Sequence, residues 1–469
     1  MHQSDLIDLD VIGVAHGGVF VGRHEGRVVF VPDAIPGERV RVRLTDTGKA
    51  SFWRGEVLEV LDASAHRRPH VWRAADVDVA PEARPGGADF GHIDLDHQRE
   101  LKTQVVRDAL ERIGGLHLPV TMEPAGTAIG MPESGDATGW RTRISLHVDS
   151  GGRIGPFAAR SHRVVEVDDL PLAAPDLARA ALARAAQGAR SAQPGRLDFV
   201  QPSDGQVRVI SRPDPVRPER DTSGSAAGRA SHRRDRSRRR PTARPRIATA
   251  PLDPAALEPL TELVTTVSRS GSASTREFRV DAGGFWQVHR LAASTLSSAV
   301  ADAVAGTVDP DAHHLDLYGG VGLLAAAVAA VGGPATRITT VESDARATDH
   351  AGENLVEWVG ARAETGRVDR WLAALTETAS ATDRARLRQG VVVLDPPRAG
   401  AGRDVVDMLA GLAPARIVYV ACDPVALARD LRTFQAHGYA TDEVRGFDLF
   451  PHSHHVESIA VLSRDARDR

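Results

Sequence analysis

The chain holds one cysteine, Cys422, at the end of the apolar run Val-Tyr-Val-Ala and directly before Asp423 and Pro424. An aspartate suited to capping, followed by a proline suited to a first turn, predicts that a helix starts here. The positive end of its dipole would favour the thiolate, the nucleophilic form of cysteine. An isolated cysteine can also be a buried small hydrophobe. Two carboxylates have comparable settings. Asp395 sits in Val-Leu-Asp-Pro-Pro-Arg-Ala-Gly, where the prolines stiffen the turn and let the carboxylate orient a base or cofactor. Glu457 follows Pro-His-Ser-His-His-Val and precedes an apolar run, a position suited to a general base. The three histidines beside it have no cysteine or spaced acidic pair to complete a metal site, so no metal is expected.

A nucleoside site is suggested further upstream. Asp316-Leu-Tyr-Gly-Gly-Val-Gly-Leu follows a strand-like run, and its glycines allow a tight turn with close approach of a ligand to the backbone. Glu342 ends the next strand-like run, where an acidic side chain can accept hydrogen bonds from both ribose hydroxyls. The full Gly-x-Gly-x-x-Gly of dinucleotide binders is missing. The loop therefore fits a cofactor without a pyrophosphate, such as S-adenosylmethionine.

These residues need a frame that brings strand ends together. From His314 onward, short apolar runs alternate with helical stretches: His314-Leu-Asp-Leu, Arg337-Ile-Thr-Thr-Val-Glu, Gly390-Val-Val-Val-Leu-Asp and Arg416-Ile-Val-Tyr-Val. That alternation predicts βα units and a mostly parallel sheet, with ligands beyond the carboxyl ends of the strands. The first sixty residues instead read as five short strands with glycine turns, a small OB-type barrel. Between them, a helical pattern from about His97, with Leu101, Val105, Val106, Leu110 and Ile113 on one face, leads into further strand-like runs. The α+β middle region is interrupted at about 211–246 by an arginine-rich stretch without apolar periodicity, expected to be a disordered insertion that grips phosphates or acts as a solvated linker.

Composition bounds the rest. The 469 residues suffice for two to four domains, and the net charge of −4 does not by itself suggest nucleic acid. One cysteine excludes a disulfide framework, and no apolar stretch approaches a membrane span. A cytoplasmic location is expected, with no membrane association and no obligate protein partner.

The C-terminal half resembles the RNA (uracil-5-)-methyltransferases. The resemblance rests on Phe285-Trp-Gln287-Val-His, Leu315-Asp-Leu-Tyr318-Gly-Gly-Val-Gly, Glu342, Asp395-Pro-Pro-Arg-Ala-Gly, Tyr419-Val-Ala-Cys422-Asp-Pro and Pro451-His-Ser-His-His-Val-Glu457. The start resembles the TRAM module, an RNA-binding barrel, through Gly13-Val-Ala-His-Gly-Gly and Val29-Phe-Val-Pro-Asp-Ala-Ile-Pro-Gly-Glu. It implies a TRAM barrel at 1–63, a middle domain at 94–284 and a Rossmann-like class I methyltransferase domain at 285–469. It implies Cys422 as nucleophile, Glu457 as base, and Gln287, Tyr318, Glu342 and Asp395 as ligands of S-adenosylmethionine. The expected reaction is methylation of uracil C5 in transfer or ribosomal RNA; an idle RNA-binding protein is the alternative. Many relatives hold an iron–sulfur cluster through cysteines between the TRAM module and the middle domain. Gly86-Gly-Ala-Asp-Phe-Gly-His-Ile has none, so no cluster is expected. Gly319 also stands where the family has a cysteine.

Overall fold

The structure, a computed structural model, describes residues 6–49, 51–188, 193–215, 253–268 and 271–464. Strands β1 (Leu6–Ala15), β2 (Val19–His24), β3 (Arg27–Val31), β4 (Arg39–Asp46) and β5 (Phe52–Asp62) form a closed barrel in the order β1-β2-β3-β5-β4. Alternation along these strands sends Leu9, Val11, Phe20, Val29, Val40 and Val57 inward, and Phe90, Ile93 and Leu101 join the same apolar cluster. The barrel is therefore plugged by the segment that follows it. Helix α1 (Leu95–Ala109) begins at Asp94, whose carboxylate accepts from the His97 amide at 2.9 Å.

The sheet that carries the strand-end residues is mixed. It contains β6 (Val120–Pro124), β13 (His314–Leu317), β14 (Ile338–Glu342), β15 (Ala361–Thr365), β16 (Val391–Leu394), β17 (Arg416–Ala421), β18 (Tyr439–Asp448) and β19 (Glu457–Arg464) in the order β15-β14-β13-β16-β17-β19-β18-β6. Five of the strands are parallel neighbours, and β19 runs antiparallel between β17 and β18. Helices α3 (Ala292–Val304), α4 (Leu323–Gly332), α5 (Ala345–Asn354), α6 (Val368–Thr378), α7 (Ala381–Gln389), α8 (Arg403–Leu412) and α9 (Pro424–Ala436) connect and cover it. Two apolar clusters lie on opposite faces: Val391, Val393, Val418 and Val420 point into one, and Val392, Leu394, Ile417 and Tyr419 into the other. Burial on both faces explains why these strands read as continuous apolar runs.

The middle region holds a four-stranded sheet of β7 (Arg143–Val148), β8 (Ile154–Gly155), β9 (Gly195–Val200) and β10 (Arg208–Pro213), with α2 (Pro175–Ala186) packed on it, and a hairpin of β11 (Pro259–Val267) and β12 (Ala273–Asp281). The expected middle segment from 94 does not follow sheet boundaries. β6 pairs in parallel with β18, and α1 packs against β6 and α9, so residues before 125 complete the eight-stranded mixed sheet. Ser211–Pro213, expected to open the disordered insertion, instead pair with β9; the rest of that stretch lies outside the described residues except 214–215. No described helix is long and apolar enough to cross a membrane.

Candidate active site

Strand register assembles the site. Ala421 of β17 pairs with Ser458 of β19, and the next position in that antiparallel register sets Cys422 opposite Glu457. On the other side Leu394 of β16 pairs with Tyr419 of β17 and with Leu317 of β13, so Asp395 leaves the sheet beside Tyr318, its amide donating to the Leu317 carbonyl at 3.2 Å. Leu317 in turn pairs with Val341, which brings Glu342 to the same edge. Glu342, Tyr318, Asp395, Cys422 and Glu457 line one cleft of about 1180 Å³, together with Gln287, Arg398 and His455. All six residues expected at the site are thus brought together, and their assigned roles are a matter for function.

The nucleoside end is rigidly built. Tyr318 takes a positive φ of 64°, and Gly320 and Gly322 follow at 54° and 85°, so the chain turns sharply off β13 into α4. A Cβ on Gly319 would sit 2.0 Å from Thr340 Oγ1 and 2.4 Å from Asp316 Oδ2, so no side chain fits. Glu342 Oε2 accepts from the Gly320 amide at 3.2 Å and Oε1 from the Asp344 amide at 2.9 Å, which fixes the carboxylate at the strand end. Beneath the loop, Asp316 Oδ2 accepts from Thr340 Oγ1 at 3.0 Å and from the Ala325 amide at 3.2 Å, tying β13 to the start of α4. Glycine-lined backbone beside a fixed carboxylate fits an adenosine moiety, with Glu342 free to accept further hydrogen bonds.

The thiol end differs from the sequence expectation. α9 does begin at Pro424, and Asp423 caps it by accepting from the Ala426 amide at 2.8 Å. Burial and the carboxylates of Glu457 and Asp395 nevertheless push the Cys422 thiol up to about 11, against the pull of Arg398. The helix start therefore does not make a thiolate by itself; burial first, and then the two neighbouring acids, hold the proton on. Burial, then repulsion from Asp395, raises Glu457 well above the carboxylate range, and burial, then repulsion from Asp316, raises Asp395 to about 7. Burial likewise pushes the Tyr318 phenol up to about 12.

Contacts distant in sequence hold the loop between β18 and β19 that leads to Glu457. The His452 amide donates to Gln98 Oε1 at 2.8 Å, the Phe90 amide to the His452 carbonyl at 2.9 Å, and the His454 amide to Asp89 Oδ2 at 3.1 Å. Lys102 Nζ bonds Asp448 Oδ1 at 2.5 Å and the Phe450 carbonyl at 3.0 Å. The stretch without cluster cysteines thus joins barrel to that loop through hydrogen bonds. From the barrel itself, His16 Nε2 lies 3.2 Å from Asp423 Oδ2, next to the thiol.

Sequence reading left Asp430 unremarked inside Arg-Asp-Leu. It is fully buried, and its Oδ2 accepts from the Ala401 amide at 2.9 Å, the Gly402 amide at 3.2 Å and Tyr419 Oη at 2.7 Å. It anchors the loop that carries Asp395 and Arg398. The signal was available: an acid in the middle of a helix, among Ala426, Leu427, Ala428 and Leu431, must find partners. Among the arginines near the site, Arg160 donates to the Gly18 carbonyl at 3.2 Å, and Arg143 to the carbonyls of Ala282 and Gly284 at 3.2 and 2.7 Å. Arg143 thereby shapes the turn before Gln287, where Phe285 is 75% exposed. Arg141 lines the cleft with its Nε unpartnered.

Residues 380–465 match the family model described as tRNA (Uracil-5-)-methyltransferase, and residues 6–58 match the TRAM domain. An uncharacterized RNA methyltransferase of Streptomyces avermitilis is 35% identical over 99% of this chain and 100% of its own length. A second, of Streptomyces coelicolor, is 36% identical over 98% of this chain and 93% of its own. The crystal structure of a Pyrococcus abyssi tRNA (uracil-54, C5)-methyltransferase with S-adenosyl-L-homocysteine has the same fold, with a TM-score of 0.62 at 22% identity, covering 97% of this chain and 100% of that one. The chain belongs to the RNA (uracil-5-)-methyltransferase family and is an S-adenosylmethionine-dependent RNA methyltransferase with a TRAM domain.

Proposed function

We propose that the protein methylates C5 of a uridine in structured RNA, transfer or ribosomal, through a covalent adduct between Cys422 and uracil C6. The observation that carries this reading is the register that sets the chain's sole thiol opposite Glu457 across β17 and β19. A methyltransferase acting on an exocyclic amine needs no thiol; uracil C5, a poor nucleophile, does. Addition of the Cys422 thiolate to C6 turns the ring into an enolate, whose C5 then bonds the methyl carbon. S-adenosylmethionine supplies that methyl on a positively charged sulfur and leaves as S-adenosylhomocysteine. Glu457, as carboxylate, removes the C5 proton, and the electron pair of that C–H bond restores the ring double bond as the Cys422–C6 bond breaks. Gln287, Tyr318, Glu342 and Asp395 hold the cofactor along the strand ends. The uridine must leave its stack to present C6 to the thiolate, and the TRAM barrel beside the β18–β19 loop holds the RNA around it.

Methyl transfer from labelled S-adenosylmethionine into transfer and ribosomal RNA, with the product digested to nucleosides, tests the reading. The label should appear in 5-methyluridine. Glu457→Gln should lower kcat by about 10²–10⁴ and accumulate protein-linked RNA, and Cys422→Ala should give neither product nor adduct. Label in any other nucleoside, or adduct with Cys422→Ala, sinks the mechanism.

A further inference from the structure

A second cavity of about 530 Å³ lies in the middle region, on the face of β7 and β9. It is separate from the methyl-transfer cleft but shares a wall with it: Arg141, Arg212, Gly87 and the turn Gly283–Phe285 line both. Its own walls combine apolar surface from Leu146, Pro156, Leu170 and Leu172 with four arginines, Arg141, Arg143, Arg196 and Arg212, against one carboxylate, Asp198.

Among the described residues, the four arginines lining this cavity outnumber the carboxylates that face them. Asp198 is already shared, its Oδ2 accepting from Arg212 Nε at 2.5 Å and from Arg196 Nη2 at 3.0 Å, and its Oδ1 from Ser145 Oγ at 2.6 Å. Arg143 reaches Glu262 only at 3.9 Å, and its Nε and Nη2 are buried without a hydrogen-bond partner. Arg141 has a buried, unpartnered Nε, and burial lowers its pKa. Arg143 spends one nitrogen on the Ala282 and Gly284 carbonyls, which leaves its other two and Arg141 Nε as buried donors that an anion in the cavity would satisfy. Planar, multidentate guanidinium groups match phosphate oxygens, and the apolar walls suit the face of a base.

We infer that this cavity seats a nucleotide of the substrate RNA next to the methylated uridine, its base against Leu146 and Leu172 and its phosphate on Arg196 and Arg141. The inference rests on the RNA reading of the cleft. The shared wall favours a nucleotide of the same strand over a free one, because Arg141 and Phe285 line both the cavity and the cleft. The seat would read sequence or loop shape beside the target, a specificity determinant in the middle region rather than in the TRAM barrel.

Arg196 is the residue to test, since it stands at the mouth with its side chain 45% exposed and touches neither the cleft nor the β18–β19 loop. A hairpin containing the methylated uridine would be made with an abasic residue at each neighbouring position in turn. For the wild type, KM should rise roughly 5- to 100-fold at one neighbouring position. Arg196→Ala should raise KM on intact hairpin, leave kcat unchanged, and reduce the salt dependence of log KM by roughly 0.7. At that one abasic position the two losses should not multiply. Multiplicative losses at every position overturn the seat while leaving the uridine reading intact. Failure of the wild type to methylate any RNA overturns both. If Arg196→Ala melts below the wild type, Arg196→Lys, which keeps the charge, should restore the salt slope; a slope that Arg196→Ala leaves at the wild-type value also overturns the seat.

Discussion

In the proposed reaction Cys422 is the nucleophile, and its surroundings hold it as a thiol. Burial and two carboxylates raise it to about 11, so the thiolate is scarce in the free enzyme at neutral pH. Because it is the chain's sole cysteine, alkylation by iodoacetamide reports on it alone. The alkylation rate should climb with pH well past the ordinary thiol value of about 8.5. Glu457→Gln, which removes the larger of the two repulsions, should speed alkylation at alkaline pH; an unchanged rate would mean that the carboxylate does not face the thiol. Asp395 permits a stability measurement. Its folded-state pKa, about 7, lies above the ordinary value, so its stabilising contribution is present below about pH 4 and lost as pH rises through 7. Between pH 5 and 8 the wild type should therefore lose more stability than Asp395→Asn, by on the order of a few kcal/mol. Parallel pH profiles would refute this.

At the scale of elements, the turn between β13 and α4 shows how tightly the nucleoside end is packed. Gly319 has no room for a Cβ because Thr340 and Asp316 already occupy the space. Gly319→Ala should cost about 1–3 kcal/mol in urea unfolding, the range for overpacking, and weaken S-adenosylmethionine binding by displacing the loop. A loss under about 0.5 kcal/mol would mean the turn is softer than drawn. The sequence announced this turn through its glycines, since no other residue offers such backbone freedom. It did not announce β15, Ala361–Thr365, which is a polar edge strand with little apolar signal. Nor did it show that Arg143 serves the Gly283–Phe285 turn, because the residues it bonds lie far along the chain.

Across the whole molecule, barrel, α1 and the β18–β19 loop are locked by buried polar contacts that have no counterpart in local sequence. Asp448 is fully buried against Lys102 and Arg99, at the start of the loop that leads to Glu457. Asp448→Asn should cost about 3–5 kcal/mol, because it strands the buried Lys102 ammonium. Adding Lys102→Met should recover most of that loss; denaturation of the single and double variants would show it, and additive losses would refute the pairing. What the sequence determined by itself was the barrel's alternation, the buried parallel strands and the types of residue at their ends, because periodicity, turn chemistry and capping act over a few residues. Only the tertiary structure decided that Cys422 faces Glu457, that burial and then the two acids raise the thiol, and that β6 joins the large sheet. Register, desolvation and charge repulsion depend on residues that are neighbours in space and strangers in sequence.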